Sequence, residues 1–158
     1  MDFDSRDYRN ALGNFATGVT IVTAKSRSGE PLGITANSFN SVSLDPPLVL
    51  FSLDRKAYSL RSFEEAGNFA INVLRDDQQE ISRLFARAMT DKWQGLEFDT
   101  WVSGAPVLKH ALAVFDCRTH AVHDGGDHLI FIGRVLRFAH DPDGRPLLYF
   151  RGNYGQVH

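Results

Sequence analysis

The stretch Gly33-Ile34-Thr35-Ala36-Asn37-Ser38-Phe39 places two hydroxyls and a carboxamide at the end of an apolar run. Inside a buried strand such groups lose water without gaining a partner, so they either close a turn or hold a bound group by hydrogen bonding. His120, His123 and His128 raise metal chemistry. Residues three apart on a strand face opposite sides, so His120 and His123 cannot chelate together, and His123 with His128 makes too few ligands for a closed site. No metal is expected. Gly13-Asn14-Phe15-Ala16-Thr17-Gly18-Val19-Thr20 has P-loop spacing, but Val19 stands where the phosphate-binding lysine belongs. No G-x-G-x-x-G follows a strand, and neither G-x-S-x-G nor H-E-x-x-H occurs.

The elements that must position these groups are mostly strands. Val19 to Ala24 and Leu32 to Phe39 read as a hairpin turning at Ser28-Gly29. Asp45-Pro46-Pro47 ends the next segment, because proline cannot sit inside a central strand. Leu48 to Leu53 is a continuous apolar run, expected to be buried on both faces. Phe69 to Leu74 is a further strand. Ala111 to His123 and His128 to Phe138 are joined by the turn Asp124-Gly125-Gly126-Asp127. Leu147 to Arg151 is the last strand, after a turn at Asp141 to Gly144. Helices are expected over Ser5 to Phe15 with Ser5 as cap, over Ser59 to Ala66 closed by Gly67, and over Asp77 to Ala88. Thr90 to Pro106 reads as mostly loop and contains both tryptophans. Strands this numerous without regular β/α alternation predict a mainly β fold, an antiparallel barrel with flanking helices.

The bulk numbers fit one domain spanning 1–158 with a substantial core. Apolar residues are 43% and charged residues 23%, and the net charge is -2. That balance argues against a nucleic-acid binder built on phosphate contacts. A single cysteine, Cys117, excludes an internal disulfide and suits a reducing compartment. No apolar run reaches the length of a membrane helix, and the N-terminal residues are acidic and polar. The expectation is a cytoplasmic protein with no membrane and no nucleic-acid partner.

In this arrangement the sequence resembles the flavin reductase family, the short NAD(P)H:flavin oxidoreductases that serve two-component flavin-dependent monooxygenases. The resemblance runs from Phe15-Ala16-Thr17-Gly18-Val19 through Gly33 to Phe39 and Ser41-Val42-Ser43-Leu44-Asp45-Pro46-Pro47. It continues in Asn68 to Leu74, Phe85-Ala86, Lys92-Trp93, Gly126-Asp127-His128 and the tail Tyr149-Phe150-Arg151-Gly152-Asn153-Tyr154. Trp93 stands where the family commonly has phenylalanine, and Arg55 to Tyr58 is less serine-rich than many relatives.

The resemblance implies an FMN-binding type of split β-barrel, a homodimer with flavin near the subunit interface, and reduction of FMN or FAD by NADH or NADPH. Hydride transfer between two cofactors asks the protein to stack and orient them. Thr35, Ala36, Asn37 and Ser38 are implied along the ribityl chain and phosphate. Ser52, Leu53 and Asp54 end a strand where backbone groups can meet the ring edge. Ser59 opens a helix. Phe85, Ala86, Arg87 and Lys92 can complete the phosphate or adenine end. His128 is assigned to the nicotinamide side as the catalytic and substrate-positioning residue, with Tyr154 stacking nearby. The plain readings stand beside these: Ser59 as an ordinary N-cap, Phe85 and Ala86 as core, Arg87 and Lys92 as solvated charges, His128 paired with Asp127 or Asp124, Tyr154 frayed. Reduced flavin would reach a separate monooxygenase by diffusion. A non-catalytic flavin-binding storage or sensor protein, and an oxidoreductase keeping flavin as a fixed group, are the alternatives.

Overall fold

The computed structural model describes residues 2–88 and 91–158. Among these residues twelve strands and three helices follow one another: α1 (Ser5–Leu12), β1 (Thr17–Gly18), β2 (Thr20–Lys25), β3 (Pro31–Ala36), β4 (Asn40–Leu44), β5 (Pro47–Asp54), α2 (Leu60–Ala66), β6 (Asn68–Val73), α3 (Gln79–Phe85), β7 (Phe98–Thr100), β8 (Pro106–Leu108), β9 (Ala113–Gly125), β10 (His128–His140), β11 (Leu147–Phe150) and β12 (Asn153–Gln156). Seven strands form one antiparallel sheet in the order β3-β2-β6-β9-β10-β5-β4. Smaller sheets join β1-β11-β12 and β7-β8. The mainly β architecture expected from the sequence is present. Among the described residues the large sheet's ladder runs open from β3 to β4 and does not close into a ring.

The core against this sheet is aromatic. Phe51 stacks on Phe131 at 4.9 Å and meets Phe69 and Phe63 edge to face at 4.9 and 6.1 Å. All four rings are fully buried. Offset and edge-on contacts of this kind add to the burial of large apolar area. Asn72 ties the small β7-β8 sheet to the large one. Its amide donates to the Ile21 carbonyl and its oxygen accepts from the Leu108 N–H.

Several boundaries differ from the sequence expectation. The first helix is capped by Asp4, whose carboxylate accepts from the Arg6 and Asp7 N–H groups, and it stops at Leu12 rather than reaching Phe15. The third helix starts at Gln79, because the Gln78 side chain accepts from the Arg75 N–H and folds Arg75–Gln78 into a turn. β5 is not buried on both faces: Val49, Phe51 and Leu53 enter the core while Leu48, Leu50 and Ser52 are half-buried. The second strand ends at Ala36, so Asn37 to Phe39 form a link. β9 runs on to Gly125, leaving a two-residue turn of Gly126 and Asp127, with Gly126 at φ 77°. The left-handed conformation there is what a tight hairpin demands and glycine supplies. Thr90, the start of the expected loop, lies outside the described residues, and the loop contains β7, which pairs with β8 beginning at its last residue, Pro106. The chain's last strand, β12, was not expected at all. Ser59 and Gly67 flank α2 as expected, Gly67 at φ 69°. No helix among the described residues is long and apolar enough to cross a membrane.

Candidate functional site

The link Asn37–Phe39 carries the chain from β3, one end of the large ladder, to β4, the other. The Ser38 hydroxyl ties this link to β5. It accepts from the Ser52 N–H at 2.9 Å and donates to the Ser52 carbonyl at 3.2 Å. β4 covers that edge of β5 only as far as Leu50, so Ser38 takes the next pair of backbone groups along it. In an antiparallel strand every second residue points its N–H and C=O to the same side. The Asp54 N–H therefore comes next on this edge.

Beside that edge is a cavity of about 510 Å³. Thr35, Ala36, Asn37 and Ser38 line it, with Ser52, Leu53, Asp54 and Ser59. Phe85, Ala86, Arg87, Lys92 and His128 line it too. The structure thus gathers in one place every position singled out for flavin, together with His128. Tyr154 is not among the lining residues. Its hydroxyl bonds to the Ser82 hydroxyl at 2.7 Å, and its strand β12 pairs with β11, so it is neither frayed nor beside this cavity.

The individual groups play different parts. Thr35 donates to the Ser82 carbonyl at 2.6 Å, which fixes α3 against β3. Ser38 is committed to Ser52, and Ser52 to Ser38, so the backbone of Ser52 is not open to a ligand. Asn37 is exposed and has no hydrogen-bond partner among the described residues. Ser59 makes no cap bond with its side chain, so the hydroxyl is not spent on α2. Leu53 and Phe85 bury their side chains in the core at 4% and 1% exposure. Ala86 and Arg87 are exposed.

Gly33 and Lys92 shape the wall. A Cβ on Gly33 would lie 2.4 Å from the Phe85 ring, so only glycine lets α3 approach this closely. Phe85 in turn meets Trp93 edge to face at 5.0 Å, and Trp93 meets Phe98 at 5.1 Å. The Lys92 ammonium donates to the Gly33 carbonyl at 3.2 Å and the Phe85 carbonyl at 3.1 Å. Partial burial pulls its pKa below the ordinary lysine value.

His128, the first residue of β10, is half-exposed, and its Nδ1 meets the Asp127 carboxylate at 2.7 Å. That bond, with the charge of the imidazole, holds the Asp127 carboxyl below the usual range. His128 stands across from Asp54 in the β5–β10 ladder. His123 stands across from Ile130, two residues off the His128 register.

Sequence reasoning missed Tyr58 and Trp93 as lining residues, and Ser82 behind the wall. Trp93 had a signal, since it follows Lys92 in the resemblance. Ser82 had none, being one polar residue on an otherwise apolar helix face. A second cavity of about 680 Å³ lies by the end of α1 and the β11–β12 turn, with Asn37 common to both. The buried Thr17 hydroxyl on its wall has no partner among the described residues.

Residues 12–158 match the family model of the flavin reductase like domain. FMN reductase (NADH) SmoA of Agrobacterium fabrum is 48% identical over 153 residues, 97% of this chain and 86% of that protein. The reductase subunit HsaB of a flavin-dependent monooxygenase from Rhodococcus jostii is 41% identical over 151 residues, 96% of this chain and 77% of that protein. Among solved structures, the NADH:FAD oxidoreductase SgcE6 of Streptomyces globisporus, in complex with NAD and FAD fragments, superposes with a TM-score of 0.91 at 35% identity. The match covers 100% of this chain and 97% of that one. The chain spans about half the length of some other curated relatives that it matches. It belongs to the flavin reductase like domain family.

Proposed function

We propose that this member of the flavin reductase family is an NAD(P)H:flavin oxidoreductase that reduces FMN or FAD for a separate flavin-dependent monooxygenase. The observation that carries the reading is the single cavity joining the Thr35–Ser38 link, the free edge of β5 at Asp54, and His128. Its donor set suits a flavin. The exposed Asn37 amide and the Ser59 hydroxyl match a ribityl chain, the Asp54 N–H matches the polar edge of a ring, and Arg87 matches a phosphate. The small side chain of Ala36 on the lining leaves a flat ring room to approach closely.

The electrons would be the cofactors' own, a hydride passing from a reduced nicotinamide to N5 of a bound isoalloxazine. The chain supplies position. Ser38 and Thr35 hold the wall rigid through Ser52 and Ser82. Lys92 fixes the end of α3 against β3. His128, held through Nδ1 by Asp127, would help to position the hydride donor.

We read the open ladder and its Ser38 bridge as a split barrel, and the protein as a cytoplasmic homodimer. Leu44 is 96% exposed and Val42 45% on the edge strand β4, which supports a partner subunit covering that edge. Product flavin is released and diffuses to the oxygenase.

Steady-state oxidation of NADH and NADPH with FMN, FAD and riboflavin, compared side by side, tests the reading. Turnover of added flavin in excess of protein is the expected result. Tight flavin binding with no NAD(P)H oxidation would turn the account toward a storage or sensor protein. Flavin that stays bound through gel filtration and turnover would make it a fixed prosthetic group.

A further inference from the structure

The turn that carries His128 is anchored from outside its own hairpin. Arg55, the first residue after β5, reaches it in three ways. Its backbone N–H donates to the Asp127 carbonyl at 2.9 Å. Its Nε donates to the Gly126 carbonyl at 2.7 Å. Its terminal nitrogen pairs with the Asp124 carboxylate. Asp124 in turn accepts from the Gly126 N–H at 3.3 Å. The Arg55 bond, then the Gly126 bond, hold the Asp124 carboxyl below the usual range.

A two-residue hairpin tip frays easily, because little is buried there and its backbone groups face water. One exposed ion pair would change that little. Arg55 instead joins backbone and side-chain bonds on both residues of the tip and on Asp124, two residues before it. The carboxylate that orients His128 belongs to Asp127, whose own carbonyl Arg55 holds. Lys56, the next residue, adds positive charge near Asp127. A tip that swings would carry Asp127 and the imidazole away from the cavity together.

We infer that Arg55 is a positioning residue for the hydride donor: it locks the Asp124–Asp127 turn so that His128 keeps one orientation over the cavity. The inference rests on the flavin reductase reading, and in particular on His128 meeting the nicotinamide. Lysine at 55 could reach one partner at a time, where the guanidinium fork reaches two.

The test compares wild type, Arg55→Gln, Arg55→Lys, His128→Ala and the double variant Arg55→Gln/His128→Ala. Readouts are KM for NADH, kcat with FMN saturating, and FMN affinity by fluorescence. Arg55→Gln raises KM for NADH by roughly three- to tenfold, with kcat little changed and FMN affinity unmoved. Arg55→Lys recovers part of the loss. The double variant is no worse than His128→Ala, because Arg55 acts through that ring. Effects that multiply in the double variant would mean that Arg55 touches the dinucleotide itself, and would overturn the inference. So would an unchanged KM in Arg55→Gln while His128→Ala raises it. If His128→Ala leaves KM unmoved, the assignment of His128 fails first and the role of Arg55 falls with it. Should Arg55→Gln not fold, Asp124→Asn removes the ion pair from the other side, and KM for NADH must rise in the same direction.

Discussion

Ser38 replaces a strand at the point where the large sheet fails to close: its hydroxyl both accepts from and donates to the backbone of Ser52, fourteen residues away. One side chain thereby couples the link after β3 to the free edge of β5, the two walls that meet at the cavity.

Ser38→Ala removes both bonds and leaves the Ser52 N–H and C=O without that partner. Unfolding in urea should show a loss of about 1–3 kcal/mol. Flavin affinity should fall with it, because the Asp54 edge is no longer held at its spacing from Asn37. Full flavin affinity in a destabilised variant would separate the bridge from the site.

Gly33→Ala drives a methyl group into the Phe85 ring. Phe85 and Trp93 both crowd that position, so α3 must shift. A cost of about 1–3 kcal/mol is expected from overpacking, together with weaker flavin binding. A melting temperature at or above that of wild type would contradict this packing.

Tyr154→Phe removes only the bond to the buried Ser82 hydroxyl. Stability should drop by about 1 kcal/mol, with KM for NADH unchanged, since Tyr154 does not line the cavity. A raised KM for NADH would restore the stacking role that the sequence resemblance implied.

Cys117 is fully buried, and burial followed by the neighbouring Asp116 carboxylate pushes its pKa up to about 12. Reactive thiols are thiolates, so native protein at about pH 8 should resist thiol reagents and react only on unfolding. The unfolded thiol titrates near its ordinary value of 9.0. It loses its proton there while the folded one keeps it. Stability is therefore unaffected below about pH 9 and declines as pH rises toward 12. Denaturation midpoints across alkaline pH check the sign, and a Cys117→Ala variant should lose that slope.

The paired elements were legible because local signals agree over their whole length. β2 with β3 shows β-branched alternation around Ser28-Gly29, and β9 with β10 surrounds a diglycine. β1, β7, β8 and β12 were not, since two to four residues give too little periodicity to register. The helix caps shifted because Asp4 and Gln78 compete with the neighbours that propensity favours. In the site, residue types pointed to Thr35–Ser38, but not to which groups are spent on the fold. The bonds from Thr35 to Ser82 and from Ser38 to Ser52 join strands and helices distant in sequence. Arg55 carried no signal of its own, because its partners are mostly backbone atoms of a turn far along the chain.

The location of the flavin tests the central claim most directly. A crystal structure of the protein with bound FMN should place the ribityl chain along Thr35 to Ser38 and the polar edge of the ring near the Asp54 N–H. The ring face should lie open toward His128. FMN seated elsewhere, with the cavity beside Asn37 closed or empty, would contradict the account.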